Sequence, residues 1–422
     1  MRDAPSVHRS SRLAWGISDQ ALSSATNFAV GIVVARSVST LDFGAFSLVF
    51  ALFAIAVSLS RAVATEPFLV RFSASPTGTS RTAAQGAAGT ALVLGAGAGL
   101  LGALASPLLP GEVRPVLLAL SLCLPGLLLQ DAWRQIFFGM GRGHSAFAND
   151  LVWLLAMVPS FALALALGGG STPSAQLVLA WGAAAGLAAV FGAWQLRMAP
   201  RPGATASWLR SHRDLWPRFA GESILISGAP QLYTIAIAAF AGLVAAGQIR
   251  LVLIVLGPVH VLIQGIGLVA LPEGVRALAR GRRHLTRHAL LISGLIAGGA
   301  LAWGALVLLT PPAWWTWLAG PGWVAAAAIL VPMSLHQILN GANSGAHVGL
   351  RAMQEARRSL HTRIAASSLL VAAPTTAVML GYGVVGAAWA LAGVALVNAV
   401  VWWIQYARSS AGGGVTATPG LA

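Results

Sequence analysis

The 422-residue sequence contains no lysine: all 26 of its basic residues are arginine. It also has just 11 acidic residues, one cysteine and three tyrosines, and only 9% of it is charged. Each shortage excludes something. Without lysine there is no GxxxxGK[ST] phosphate loop, so nucleotide hydrolysis by that route is ruled out. The single cysteine, Cys123, lies in a hydrophobic run and permits neither an internal disulfide nor a cysteine-built metal site. HExxH and GxSxG are absent as well, which removes the simplest zinc-protease and nucleophile-elbow chemistry. No motif calls for a cofactor or a metal, and the chain reads as a non-enzyme.

What is there is apolar. A soluble domain carries about 25% charged residues. Charge this sparse, with 57% hydrophobic residues and a mean hydropathy of +0.77, marks a polytopic membrane protein. The net charge of +15 would suggest nucleic acid if the chain were soluble. Arginine-rich cytoplasmic loops account for it more simply, so no nucleic-acid partner is expected. Abundant Ala and Gly with Arg in place of Lys point to a high-GC bacterial genome, and hence to a bacterial cytoplasmic membrane.

A span needs about 20 mostly apolar residues. That window predicts twelve, at roughly 13–34, 44–67, 84–106, 115–132, 149–168, 174–196, 219–241, 247–271, 289–310, 322–341, 364–381 and 384–406. The basic N-terminus MRDAPSVHRSSRLAWG lacks a clear cleavage site, so the first segment is read as a retained span. With both termini inside, every arginine falls in the tails or the cytoplasmic loops except Arg36, Arg61, Arg114 and Arg250, as the positive-inside rule expects. The outer loops are short, and PPAWWTWLAGPGW, the longest, reads as an interfacial aromatic belt.

Weak internal similarity divides the chain. Asp19 and Gly44 match Glu222 and Gly247 at one common offset, and Glu66-Pro67 has a counterpart in Pro272-Glu273. The expected organisation is an N-terminal six-helix bundle at 1–200 and a cytoplasmic linker at 201–218. A C-terminal six-helix bundle at 219–408 follows, then a disordered tail at 409–422. Six spans per half relate the repeats by an axis along the membrane normal.

Several spans carry polar stripes. At 100° per residue, Asp19, Ser23, Thr26 and Asn27 share one helix face; so do Ser47, Ser58, Arg61 and Thr65. Arg250, Gly257, His260 and Gln264 form another stripe, and His336, Asn340 and Asn343 a fourth. An ionisable group at the bilayer centre costs roughly 2.5–3.5 kcal/mol or more unless it faces protein or water. Four such stripes therefore predict a shared polar interior, with an Asp19–Arg61 pair as one expectation. Blander readings stand beside this: Glu66 and Glu222 as interfacial acids, Arg250 snorkelling, and His260 and His336 as helix-to-helix hydrogen bonds. In GAGAGLLG, the Gly95-x-x-x-Gly99 spacing reads as close helix packing.

The stretch DQALSSATNFAVGIVVARSVSTLDFGAFSLVFAL resembles the opening of Wzx-type polysaccharide flippases, members of the multidrug/oligosaccharidyl-lipid/polysaccharide (MOP) exporter superfamily. The matching features are the polar start of the first span, Ala35-Arg36 and Phe43-Gly44; Val38-Ser39 departs from the usual Leu-Gly. A second stretch, QDAWRQIFFGMGRGHSAFANDLVW, resembles the family's span 4–5 connection through Asp131, Arg134, Gly141, Arg142 and Asp150.

The resemblance implies an all-α, MATE-like fold of two six-helix bundles in a V around a central cavity. It implies alternating-access flipping of a polyprenyl-pyrophosphate-linked oligosaccharide for polysaccharide biosynthesis. Arg61, with Arg250 second, suits the pyrophosphate by charge and donor geometry. Asn27, Gln231, Gln264, His336 and Asn340 suit sugar hydroxyls. Proton or sodium coupling would fall to Asp19, then Glu66 and His260. Membrane lipids and a polymerase or ligase are the expected partners. An ion-coupled multidrug exporter of the same superfamily is the alternative.

Overall fold

The structure, a computed structural model, describes residues 6–73, 77–167 and 173–411. Arg2 and the tail beyond residue 411 lie outside the described residues. Those residues form helices and no strand. In chain order the helices are α1 (Ser6–Ser37), α2 (Thr40–Phe72), α3 (Thr77–Ala105), α4 (Val113–Gly139), α5 (Gly143–Ala166), α6 (Pro173–Leu196) and the short α7 (Thr205–Ser211). They continue with α8 (Trp216–Ala241), α9 (Leu243–Val255), α10 (Gly257–Ala279), α11 (Arg282–Leu309) and α12 (Pro312–Ala319). The last three are α13 (Trp323–Ala352), α14 (Ala356–Met379) and α15 (Gly383–Ala411).

Ten described helices are long and apolar enough to cross a membrane, or eleven if α9 and the start of α10 count as one broken span. The remaining expected span, the first, coincides with α1. That helix is 32 residues long, but its polar first half keeps it outside the apolar count. The break between α9 and α10 interrupts the span expected at 247–271. Pro258, at the first turn of α10, has no N–H to continue the ladder.

Two compact units are distinguished. Unit 1 comprises Met1–Ile254 with Thr316–Trp323, and unit 2 comprises Val255–Trp315 with Val324–Ala422.

Within unit 1, helix ends follow local chemistry. Ser39 caps α2 by accepting from the Asp42 N–H at 3.1 Å, and its hydroxyl returns a bond to the Asp42 carboxylate at 2.7 Å. Gly242 alone joins α8 to α9 at φ +89°, a conformation side-chain-bearing residues avoid. Lipid tails are as apolar as leucine, so close packing and hydrogen bonds hold such helices together. The Gly95/Gly99 spacing provides that contact. A Cβ on Gly95 would stand 2.8 Å from Pro125 Cα, and one on Gly99 2.3 Å from the Ser121 carbonyl oxygen, so α3 and α4 touch through backbone. Gly44 and Gly247, the pair that share an offset with the two acids, lie against each other: a Cβ on Gly247 would be 3.2 Å from Gly44 N.

Two helices of unit 1 contain a wide, π-type turn. In α2 it covers Arg61–Thr65 and the Glu66 N–H bonds back five residues to Arg61 O. In α8 it covers Ile224–Gly228, closed by the Ala229 N–H on Ile224 O. Each turn ends two residues before a proline, Pro67 or Pro230. A proline inside a helix both lacks the N–H and pushes away the carbonyl four residues earlier, and a π bulge relieves that clash. The two helices meet beside these turns, where the Ser58 and Ser223 hydroxyls hydrogen-bond.

Unit 2 packs α11, α13 and α15 with the same small-residue logic. A Cβ on Gly345 would fall 1.8 Å from Ala289 O, and one on Gly341 2.7 Å from Ala297 N. Ser293 locks that approach, donating to Ala342 O at 2.7 Å while accepting from the Gly345 N–H at 3.0 Å. Trp403 donates to the same Ala342 carbonyl at 2.9 Å.

Candidate functional site

The polar residues of unit 1 converge on α4. Arg61, at the start of the π turn of α2, forms a two-pronged contact with Asp131: Nε to Oδ2 at 2.9 Å and Nη2 to Oδ1 at 2.6 Å. One turn further along α4, Arg134 donates from Nε and Nη2 to Asp19 Oδ2 at 2.8 and 2.5 Å. Its Nε also lies 3.1 Å from Asp150 Oδ2, on α5. Gln130 donates to Asp150 at 2.9 Å and to Asn149 at 3.2 Å, and Asn149 in turn donates to Ala188 O at 2.8 Å.

The network is buried. The Asp19 side chain is 0% exposed, Asp150 3%, Arg134 11% and Asp131 12%, whereas Arg61 keeps 38%. Three carboxylates face two guanidinium groups, leaving one negative charge in excess when all are ionised. Asp19 Oδ1 is buried and has no hydrogen-bond partner.

This arrangement corrects the expected Asp19–Arg61 pair. Asp19 belongs to Arg134, and the π turn directs Arg61 to Asp131 instead. Hydropathy also ended the fourth span at residue 132 and left Arg134 in a loop. The helix in fact runs to Gly139 and carries Arg134 inward. The signal was present in QDAWR, because residues three and four apart share a helix face. In the sequence, Asp131, Arg134 and Asp150 stand out only as family-like positions, with no role in the site.

Arg250, on α9, behaves differently. Its guanidinium carbon sits 3.8 Å from the centroid of the Phe50 ring, and its buried Nε has no hydrogen-bond partner. Among the described residues no carboxylate pairs with it. The aromatic chain continues along α2: Phe50 stacks at 6.1 Å on Trp181, which meets Phe53 edge-on at 4.7 Å. Of the other candidates in unit 1, Glu66 and Gln231 are half-buried and Asn27 is exposed.

In unit 2, His336 and Asn340 come together on α13. Leu391 O can only accept, so His336 Nδ1, 2.9 Å away, carries the hydrogen; Nε2 then accepts from Asn340 Nδ2 at 2.9 Å. Both ring nitrogens are thereby occupied in the neutral tautomer, the helix-to-helix bond that was the blander expectation. His260 is exposed and Gln264 half-buried on α10, and neither joins another candidate. No group of three or more His, Cys, Asp or Glu suited to a metal ion occurs among the described residues.

No protein-family model matches the sequence, and no curated protein matches it. Solved structures do. The chain superposes on an inward-facing multidrug-resistance transporter of the MATE family in the MOP superfamily with TM-score 0.70 and 15% identity, over 93% of this chain and 95% of that one. It superposes equally broadly on the lipid II flippase MurJ in an inward closed conformation, with TM-score 0.68, 11% identity and coverage of 94% and 90%. A MATE protein in complex with MaL6 gives TM-score 0.62, 16% identity and 95% of both chains. The chain is a multi-pass membrane protein with the helical fold these MOP-type transporters and flippases share.

Proposed function

We propose that the protein is a flippase for a polyprenyl-pyrophosphate-linked oligosaccharide, working by alternating access between two six-helix halves, 1–200 and 219–408. Its setting would be a bacterial cytoplasmic membrane with both termini inside. The observation that carries this reading is Arg250. A cation held inside the membrane costs at least roughly 2.5–3.5 kcal/mol, which stacking on an aromatic ring in a desolvated site offsets by about 2 kcal/mol or more. A cation left in that position without an acid suits an anionic ligand. Arg250 therefore replaces Arg61 as the first contact for the pyrophosphate, because Asp131 already occupies both prongs of Arg61. A cationic drug would gain nothing from such a group, which disfavours the multidrug alternative despite the shared fold.

Asn27, Gln231 and Gln264 remain the proposed sugar contacts. His336 and Asn340 join them only through the amide oxygen that Asn340 has left over. Coupling to a proton or sodium ion is assigned first to Asp19 and its excess-carboxylate surroundings, and Glu66 and His260 follow. A polymerase or ligase working on the flipped product completes the proposal.

The test is leaflet-resolved. Cells lacking the protein are supplied with wild type, Arg250→Ala or Arg61→Ala at equal membrane levels, and lipid-linked oligosaccharide on the cytoplasmic leaflet is assayed. Rescue by wild type and failure by Arg250→Ala supports the reading. Full rescue by Arg250→Ala removes that residue from substrate binding. Absence of any accumulation, with altered sensitivity to cationic drugs, favours the multidrug exporter.

A further inference from the structure

The segment joining α6 to α8 is docked on unit 1. Arg201 N–H donates to Gln85 O at 2.9 Å, and a Cβ on Gly89 would stand 2.2 Å from Arg201 O, so this backbone lies directly on α3. Arg71 donates to the Asp214 carboxylate at 2.8 and 2.7 Å and to Ser211 O at 2.7 Å. Between these anchors, Trp208 enters the unit. It is 6% exposed and packs over Gly86, where a Cβ would be 3.2 Å from the indole. His212 lies against it with ring centroids 3.9 Å apart.

The indole ends at a specific atom. Trp208 Nε1 donates to Val63 O at 3.2 Å. Val63 lies inside the π turn of α2 and stands four residues before Pro67. In a regular helix the carbonyl of Val63 would accept from residue 67, but proline has no N–H to give. A buried carbonyl without a donor costs about 1–3 kcal/mol. The indole N–H supplies the missing donor from outside the helix. The same π turn begins at Arg61, so its register sets where that guanidinium points.

We propose that Trp208 is a positioning residue: by donating to the carbonyl orphaned by Pro67, it fixes the π turn that aims Arg61 at Asp131, tying the cytoplasmic segment to the buried ion network. The inference needs no particular substrate and stands apart from the flippase reading.

The experiment uses the full chain in detergent with three variants: Trp208→Phe, Pro67→Ala, and the two combined. Hydrogen exchange is read over residues 62–70. Losing one hydrogen bond should speed exchange there roughly fivefold in Trp208→Phe. With Pro67→Ala the new amide can serve Val63 O, so adding Trp208→Phe should change exchange little. A purely packing role for the ring predicts the same increase in both backgrounds, and that result overturns the proposal. The thermal-stability coupling between Arg61→Gln and Asp131→Asn should be present with Trp208 and vanish in Trp208→Phe; a retained coupling also overturns it. If Trp208→Phe does not fold, Pro67→Ala alone decides. Releasing the indole from Val63 O should hasten tryptic cleavage after Arg210 and Arg213, and unchanged cleavage sinks the idea.

Discussion

The two units solve the same problem, polar groups within apolar helices, with different chemistry. Unit 1 keeps charges: Asp19, Asp131 and Asp150 against Arg61 and Arg134. Unit 2 keeps neutral partners: His336 with Asn340 and Leu391 O, and Ser293 between Ala342 and Gly345. The acids themselves are divided this way, since only Glu273 and Glu355 fall in unit 2 and neither is buried. A neutral hydrogen bond contributes about 0.5–1.5 kcal/mol and tolerates change. A buried ion pair gives little net stability when intact, yet removing one partner costs about 3–5 kcal/mol. Unit 1 is therefore the charge-sensitive unit of the protein.

The largest expected effect follows from that asymmetry. Arg134→Ala leaves Asp19 and Asp150 without their shared cation and should destabilise unit 1 by about 3–5 kcal/mol, read as a fall in melting temperature and in membrane level. Adding Asp150→Asn should recover part of the loss; no recovery would mean that Arg134 acts by packing. In unit 2, Gly345→Val forces a side chain onto Ala289 O. The cost should be about 1–3 kcal/mol or somewhat more, felt by α11 and α13 and not by the ion network. His336→Phe removes two hydrogen bonds and should lower the melting temperature by an amount worth about 1–2 kcal/mol. Under the proposed function, transport should continue, and its loss at normal stability would return His336 to the site.

The smallest effect is a pH dependence outside the membrane. Burial holds the His212 pKa below its ordinary 6.5, with Nε2 enclosed without a partner; the contact of Nδ1 with Trp208 O at 2.8 Å acts in the opposite direction and is outweighed. The docked state thus binds fewer protons than the undocked one, so docking strengthens as pH rises. Its full strength lies above about pH 6.5, and it weakens as pH falls from there towards the lower pKa of the docked state. Tryptic cleavage at Arg210 should accelerate on acidification, and His212→Asn should flatten the dependence. Asp214, facing the same ring, has its own pKa held below the ordinary carboxylate value.

Much of the architecture was legible in the sequence. Spans two to seven and nine to twelve have counterparts in described helices, and the Gly95/Gly99 contact follows from spacing alone. The polar face of α1 was legible too, but a stripe on one helix names no partner on another. Choosing between Arg61 and Arg134 for Asp19 required knowing that α4 continues past residue 132. A hydropathy window ends a span at the charges that a buried network keeps inside. The π turn of α2 had a visible cause in Pro67. Its register, and the Trp208 that completes it from far along the chain, are tertiary facts that no local pattern records.

One contact also bears on the order of synthesis. The C-terminal end of α1 is covered by the 316–323 segment: Arg36 lies 5.6 Å over the Trp317 ring, and Gly320, at φ +84°, presses on Ala35 O. The ribosome makes α1 about 280 residues before these neighbours. At about 5–20 residues per second, that end of the helix waits roughly 15–60 seconds for its cover. The helix α1 is therefore made well before its end can be finished.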